Sequence, residues 1–313
     1  MRCVKAMTNL TNAFLIVAGV SFLFTAHGAV AEQKMETLEL LIRPNKIDGE
    51  SVHKPFKNLL LELVLQKTKE KYGDFAIKEY PNKIKQGRVI AFIKQNKKFR
   101  IIATMDSPKR RRDIRPIEIP IYKGLFGHRV FIIRKEDQAL FTKIKTKEQL
   151  QALTAIQGHD WPDSDILEEA GFKVRRSPNY NGIFKMLRLK RGDYFPRGVH
   201  EPWQEIERQK DEILAVEKTL LIQYNAPFYF FVGYQDQKLY NRIEEGLLKV
   251  IKDGSFDELF YNHPEIKTIF EKARIGDRKI IKINNSASFK KSKFNEDKWW
   301  YKVGDEERNS SSH

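Results

Sequence analysis

The residue types that usually carry chemistry are present in this chain, but not at the spacings that such chemistry requires. The seven histidines are scattered, and His200-Glu201 lacks the second histidine of a zinc-binding helix. The sequence contains no Gly-x-Ser-x-Gly nucleophile elbow, no phosphate-binding loop and no Gly-x-Gly-x-x-Gly fingerprint. It therefore predicts no catalytic site, no metal site and no cofactor.

Cations outnumber acids, and the formal net charge is +16. They are spread along the chain, apart from Lys109-Arg110-Arg111-Arg112, and no RNP, zinc-finger or basic-zipper pattern accompanies them. We therefore expect no nucleic-acid partner. Two interpretations stay open: a solvated basic surface that faces anionic lipid or polysaccharide, and a basic cleft that attracts an anionic small molecule.

Residues 1–31 have the anatomy of a secretory signal peptide. Two cations precede an apolar run from Ala13 to Phe24, which is shorter than the about 20 residues that span a bilayer. Ala29-Val30-Ala31 then suits a signal peptidase. Cys3 is the only cysteine and falls inside this segment. A mature chain that starts at Glu32 without a thiol fits the periplasm of a Gram-negative bacterium.

After this segment, apolar residues at helical spacing alternate along the chain with short β-rich runs. This order favours a sheet covered by helices, in two successive α/β units. We expect strands at 37–42, 74–80, 100–104, 129–133, 155–157, 172–174, 192–195 and 226–232. We expect helices at 55–72, 81–94, 146–154, 162–170, 181–190, 237–251, 257–261 and 265–273. The polar, serine-rich end is expected to be a loosely ordered tail.

The order of these motifs resembles the type 2 periplasmic solute-binding proteins that serve polar amino acid ABC transporters. The resemblance covers almost the whole mature chain to about Ile283. It implies an α/β fold of two lobes, each a mixed sheet flanked by helices, with two chain crossings as the hinge. Lobe 1 would hold residues 32–122 and 233–283, and lobe 2 residues 123–232 with hinge strands at its ends. Residues 284–313 would form the tail.

The resemblance also implies ligand-binding positions in lobe 1. The run from Thr104 to Arg110 is similar to the family's strand-to-helix segment, in which an arginine clamps the ligand carboxylate through a bidentate pair. Arg110 falls on that arginine, with Met105 and Ser107 beside it. From the residues alone, however, Arg110 is one of four solvated cations on a turn.

A second group of positions follows in lobe 2. Gly158-His159-Asp160-Trp161 lies where the family has a glycine and small hydroxyl residues at a helix N-terminus, which binds carboxylate through free backbone N–H groups. Asp160 alternatively caps the helix that begins near Pro162. Trp161, Phe56 and Tyr122 either form the wall of an aromatic pocket or belong to the core.

The segment Pro196-Arg197-Gly198 departs from the family's pattern. Where the family places an aspartate that holds the ligand's ammonium group, this chain has Gly198, and Arg197 brings a cation instead. The alternative interpretation is that Arg197 is simply exposed on a tight turn. Together with Arg110, Arg197 favours an anionic ligand over a standard amino acid.

The predicted function is therefore an exported solute-binding protein, not an enzyme, that captures a small carboxylate-bearing ligand between two lobes for an ABC-type uptake system. We expect a monomer whose ligand is anionic or amino-acid-like and whose partner is an inner-membrane permease or a sensor. The alternative is a sensory or interaction module that uses the same fold without a transported ligand. A cleft filled by Trp161 and Phe195 would favour that alternative.

Overall fold

The computed structural model describes residues 36–44, 54–210, 212–284 and 299–302. Its strands are β1 (Leu38–Ile42), β2 (Phe75–Glu79), β3 (Ile101–Met105), β4 (Arg115–Ile117), β5 (His128–Arg134), β6 (Thr154–Gly158), β7 (Lys173–Ser177), β8 (Tyr194–Gly198), β9 (Leu214–Val216), β10 (Leu220–Gln223), β11 (Phe228–Val232) and β12 (Lys279–Lys282). Its α-helices are α1 (Phe56–Lys67), α2 (Lys69–Tyr72), α3 (Gln86–Lys94), α4 (Pro108–Asp113), α5 (Gln138–Thr142), α6 (Lys147–Gln151), α7 (Pro162–Glu169), α8 (Tyr180–Arg188), α9 (Pro202–Gln209), α10 (Gln237–Lys252), α11 (Ser255–Asn262) and α12 (Pro264–Ala273). The expected signal peptide and most of the expected tail lie outside the described residues.

Lobe 1 is built around β11, which runs antiparallel to β3 on one side and to β4 on the other. The parallel pair of β1 and β2 lies beside this sheet. Helix α1 packs against α10 because Phe56, Leu60 and Val64 recur at helical spacing and form one apolar stripe. All three side chains are fully buried.

Lobe 2 is built on a mixed sheet with the strand order β12-β10-β5-β8-β6-β7, and β9 also pairs with β5. Strand β5 runs antiparallel to β8 and β10, whereas β6 runs parallel to β7. Every residue of β5 is buried, including Arg129 and Arg134. The helices α7, α8 and α9 contact this sheet. The two sheets, each with its own helices, give the two-lobed α/β architecture that the sequence predicts.

The chain passes between the lobes in two adjacent segments, before β5 and after β10. The Tyr224 N–H donates to the Gly127 carbonyl at 3.0 Å, which ties the two segments together. Only glycine permits this approach, because a Cβ at position 127 would lie 2.0 Å from the Tyr224 carbonyl oxygen. These segments correspond to the two-crossover hinge that the resemblance implies.

The strands at the lobe boundaries are distributed differently from the expected division. Strand β11 belongs to the sheet of lobe 1, and β12 pairs with β10 in the sheet of lobe 2. The chain therefore crosses between the lobes a third time, between α12 and β12. The Arg278 guanidinium fixes this crossing, since it donates to the Glu217 carbonyl at 2.6 Å and to the Ala273 carbonyl at 2.6 Å.

Residues 299–302 lie within the segment that was expected to be a loosely ordered tail, yet they pack on the hinge. Trp299 and Tyr301 are buried. The Tyr301 N–H donates to the Lys123 carbonyl at 2.7 Å, and the Trp300 ring lies directly over Gly124. The expectation failed here because it rested on the polar composition of the whole segment and gave no weight to its three consecutive aromatic residues.

Candidate functional site

A cavity of about 150 Å³ lies between the two lobes. This is about the volume that holds a benzene-sized molecule. Its walls come from lobe 1, lobe 2 and the first hinge segment. The lining residues are Gln86, Thr104, Met105, Arg110, Phe126, Arg129, Trp161, Pro162, Asp163, Arg197, His200, Glu201 and Phe228.

Arg110 reaches this cavity from the short helix α4. Ser107 starts the helix, since its hydroxyl accepts the Arg110 N–H at 3.3 Å, and Pro108 occupies the first helical position. The Arg110 guanidinium donates to the Met105 carbonyl and to the Gln86 Oε1 at 2.7 Å. In the described part of the chain, it has no carboxylate within 4.0 Å. Burial lowers the pKa of Arg110 to about 10, so the side chain is still charged at neutral pH.

Arg197 also lines the cavity, but it is not the uncompensated cation that the sequence suggested. Its guanidinium lies 4.9 Å from the ring centroids of both Trp161 and Phe195. It forms ion pairs with Glu201 at 2.5 Å and with Glu205 at 2.6 Å. Burial alone would lower the pKa of Arg197, but the two carboxylates outweigh burial and raise it. The charge of Arg197 is therefore matched within the protein.

A second buried ion pair, which the sequence analysis missed, joins Arg129 of β5 to Asp163 of α7. The two groups are 2.8 Å apart, and the Tyr224 hydroxyl donates to the same Asp163 oxygen. Arg129 also lies 3.7 Å from Glu201. Burial alone would lower the pKa of Arg129, but Asp163, Tyr224 and Glu201 outweigh burial and raise it. Two of the three arginines in the cavity wall therefore have carboxylate partners, and Arg110 does not.

His200 and Glu201, also missed, occupy the space beside Gly198. The His200 ring stacks on Phe126 with 3.7 Å between ring centroids, and burial lowers its pKa to about 4, which leaves it neutral at pH 7. The Gly198 N–H donates to Glu201 Oε2 at 2.8 Å. A Cβ at position 198 would lie 2.8 Å from the His200 ring, so this arrangement requires glycine where the family's pattern has aspartate.

The remaining predicted positions divide into those that line the cavity and those that do not. Met105 and Trp161 line it. Ser107 serves as a helix cap, and Gly158 supports the Trp161 ring, which a Cβ there would approach to 2.5 Å. Tyr122 is buried in the core of lobe 1, which agrees with the core alternative.

Asp160 is exposed and does not line the cavity. The alternative role that the sequence suggested for it, capping the next helix, is wrong. Helix α7 begins at Pro162, which places Trp161 at the N-cap position. The Asp160 side chain lies one residue too early in the chain to accept the first free backbone N–H groups.

The described residues contain no group of three or more His, Cys, Asp or Glu side chains that could hold a metal ion. Within the same ranges, no helix combines the length and the hydropathy needed to cross a bilayer.

No protein-family profile matches the chain, and no curated protein matches it. The fold is nevertheless similar to that of many solved structures. An ancestral arginine-binding protein bound to glutamine is 14% identical, with a TM-score of 0.52 over 73% of this chain and 98% of its own. A binding component of an ABC transporter from Wolinella succinogenes, complexed with lysine, is 16% identical, with a TM-score of 0.51 over 72% of this chain and 94% of its own. A histidine kinase sensor domain with similarity to periplasmic binding proteins is 13% identical, with a TM-score of 0.50 over 72% and 95%. These similarities establish the two-lobed fold of type II periplasmic binding proteins.

Proposed function

We propose that this chain is an extracytoplasmic solute-binding protein of the polar amino acid transporter type, which captures a small carboxylate-bearing ligand between its lobes. Arg110 is the observation on which this proposal depends. Its charge faces the cavity, and its hydrogen-bond partners are two neutral acceptors, the Met105 carbonyl and the Gln86 amide. A ligand carboxylate would supply the missing negative charge through the N–H groups that remain.

Burial makes this arrangement energetically demanding without a ligand. Arg110 is only partly exposed and has no carboxylate within 4.0 Å anywhere in the described ranges, and neutral acceptors replace its lost solvation only in part. In the other two arginines of the cavity wall, this cost is offset by Asp163, Glu201 and Glu205. A bound anion would therefore give Arg110 the negatively charged partner that the other two arginines already have.

The two-lobed architecture supplies a way to respond to the ligand. Arg110 belongs to lobe 1, whereas Trp161 belongs to lobe 2, and both line the same cavity. A ligand that contacts both walls binds the closed arrangement better than the open one and shifts the population towards it. Binding, rather than catalysis, is the function that we propose for the cleft.

Replacement of Arg110 by alanine tests the proposal directly. The ligand would first be identified by a thermal-shift screen of small carboxylates, since a bound ligand raises the melting temperature by mass action. Titration calorimetry on the best hit should then show about a 10- to 100-fold loss of affinity in Arg110→Ala, the value of hydrogen bonds to a charged group.

Arg112→Ala is the matched control. It removes the same charge from the same helix at an exposed position outside the cavity wall, and it should bind like the wild type. Equal affinity of Arg110→Ala and the wild type would refute the carboxylate clamp.

We further propose export to the periplasm through the predicted signal peptide, as a monomer that delivers its ligand to an ABC-type permease. A second candidate function is a sensory or interaction module, and the histidine kinase sensor domain with this fold favours it. Co-purification with membrane proteins, in the presence and absence of the ligand, distinguishes the two. A permease partner would support uptake, and a signalling partner would support the alternative.

A further inference from the structure

Three residues that line the cavity each carry a polar atom with no hydrogen-bond partner among the described residues: Thr104 Oγ1, Arg129 Nε and His200 Nδ1. The residues Thr104 and Arg129 are 1% and 5% exposed, so bulk water is not the partner of their side chains. Buried polar groups in native proteins are nearly always paired, and each exception requires an explanation. Because all three residues line one cavity, a ligand bound there is an explanation that accounts for them together.

The hydrogen-bonding chemistry of these groups restricts that ligand. The Arg129 Nε–H can only donate, whereas the Thr104 hydroxyl can both donate and accept. A neutral imidazole nitrogen such as His200 Nδ1 does one or the other, according to its tautomer. An oxygen with its lone pairs can satisfy all three groups. An ammonium group cannot, since it has no lone pair and would place a positive charge against the Arg129 guanidinium.

Three of the four carboxylate oxygens that Asp163 and Glu201 bring to the cavity wall have partners. One Asp163 oxygen accepts from Arg129 and from the Tyr224 hydroxyl. Glu201 accepts from Arg197 and from the Gly198 N–H. The unmatched groups of Thr104, Arg129 and His200 therefore outnumber the unmatched carboxylate oxygens in this part of the wall.

We propose that the ligand carries a second oxygen, a hydroxyl or an oxo group, which Thr104, Arg129 and His200 contact while Arg110 holds the carboxylate. The substrate class is then small hydroxy or oxo acids rather than amino acids. This inference rests on the proposed function, because it places the second group relative to the Arg110 site.

Matched acids with one carbon skeleton test the inference by titration calorimetry. The first set is propionate, lactate, pyruvate and alanine, and the second is glutarate, 2-hydroxyglutarate, 2-oxoglutarate and glutamate. In at least one set, the hydroxy or oxo acid should bind 10-fold or more tightly than the amino acid. If the amino acid binds as tightly or more tightly, the inference is overturned and the proposed function stands. If none of the eight compounds binds, both are overturned.

Thr104→Val tests whether Thr104 contacts the second oxygen of the ligand, since it keeps the shape of the side chain and removes only the hydroxyl. Affinity for the hydroxy or oxo acid should fall by about 3- to 10-fold, while affinity for the unsubstituted acid stays within about 2-fold of the wild type. Tyr194→Phe is the matched control, because its hydroxyl is also buried without a partner among the described residues but lies outside the cavity wall.

If Thr104→Val does not fold, His200→Phe serves the same comparison. It retains an aromatic ring to stack on Phe126 and removes both ring nitrogens, Nδ1 among them. An equal loss of affinity for the substituted and unsubstituted acids, or no loss for either, would overturn the assignment of these residues to the second oxygen.

Discussion

Removal of the Arg197 guanidinium should destabilise the protein strongly, because it leaves the buried carboxylate of Glu205 without its ion-pair partner. Glu205 is 6% exposed, and Arg197 contacts it through Nε at 2.8 Å and through Nη2 at 2.6 Å. In Arg197→Met, Glu205 keeps only the Tyr180 hydroxyl, which donates at 2.6 Å. Glu201 is better protected, since it retains the Gly198 N–H and lies near Arg129.

Breaking a buried ion pair from one side typically costs about 3–5 kcal/mol of unfolding free energy. For a chain of this size, that corresponds to a fall of roughly 10 °C in the melting temperature. The double variant Arg197→Met/Glu205→Leu removes both charges and should recover to within about 1 kcal/mol of the wild type. Urea unfolding followed by circular dichroism measures all three proteins at one pH.

The loss of unfolding free energy in Arg197→Met should also depend on pH. Burial already raises the pKa of Glu205 above its ordinary value, and without Arg197 it should rise further. A carboxyl whose pKa is raised on folding favours the folded state when protonated, so the loss is smallest below its unfolded pKa of about 4.3 and grows as the pH rises through the raised value. The variant should therefore be closer to the wild type at pH 5 than at pH 8. A loss below about 1 kcal/mol, or a double variant as unstable as the single one, would refute this reasoning.

Two further predictions concern the hinge and lobe 1. Gly127→Ala should cost about 3 kcal/mol or more in urea unfolding, because its Cβ would lie 2.0 Å from the Tyr224 carbonyl oxygen. Gly87→Ala, in α3 with nothing within 4 Å of the added atom, should instead stabilise by about 0.5–1 kcal/mol, and a similar effect of both changes would contradict the argument. Asp236→Ala should cost about 2 kcal/mol, since Asp236 caps α10 at Leu239 N–H and also binds Arg100 through both guanidinium contacts at 2.8 and 3.0 Å. Asp236→Ser keeps the cap alone and should recover part of that loss; no recovery would assign the whole effect to the ion pair.

The elements that could be predicted from the sequence are those with a long, regular apolar pattern. The stripe of α1, the 16-residue helix α10 and the aromatic strand β11 are of this kind. The strands β9, β10 and β12 have only three or four residues each, and they form through pairing with distant partners that a local pattern does not reveal. Strand β8 continues past its expected end because Pro196, which usually interrupts a strand, is accommodated opposite Phe131.

The candidate site was predictable only in part, for a related reason. Arg110 and Trp161 were identified through local motifs, whereas Arg129 and Asp163 come together from β5 and α7 only in the folded chain. One signal was present in the sequence, since Arg129 begins the expected strand at 129–133, which is otherwise apolar, and a cation there requires a buried partner. The partner itself depends on the packing of α7, which a single sequence does not specify.

The third crossing between the lobes has a mechanical consequence. Two adjacent connections allow the lobes to rotate relative to each other about one axis. At the third connection, Arg278 donates to carbonyls on both sides, those of Ala273 and Glu217, so an opening motion has one more constraint to satisfy. Two lobes restrained in this way lose less configurational freedom on closing, so more of the energy of each contact with a bound ligand would be expressed as affinity. The same restraint would exclude large ligands, in agreement with a cavity volume of about 150 Å³.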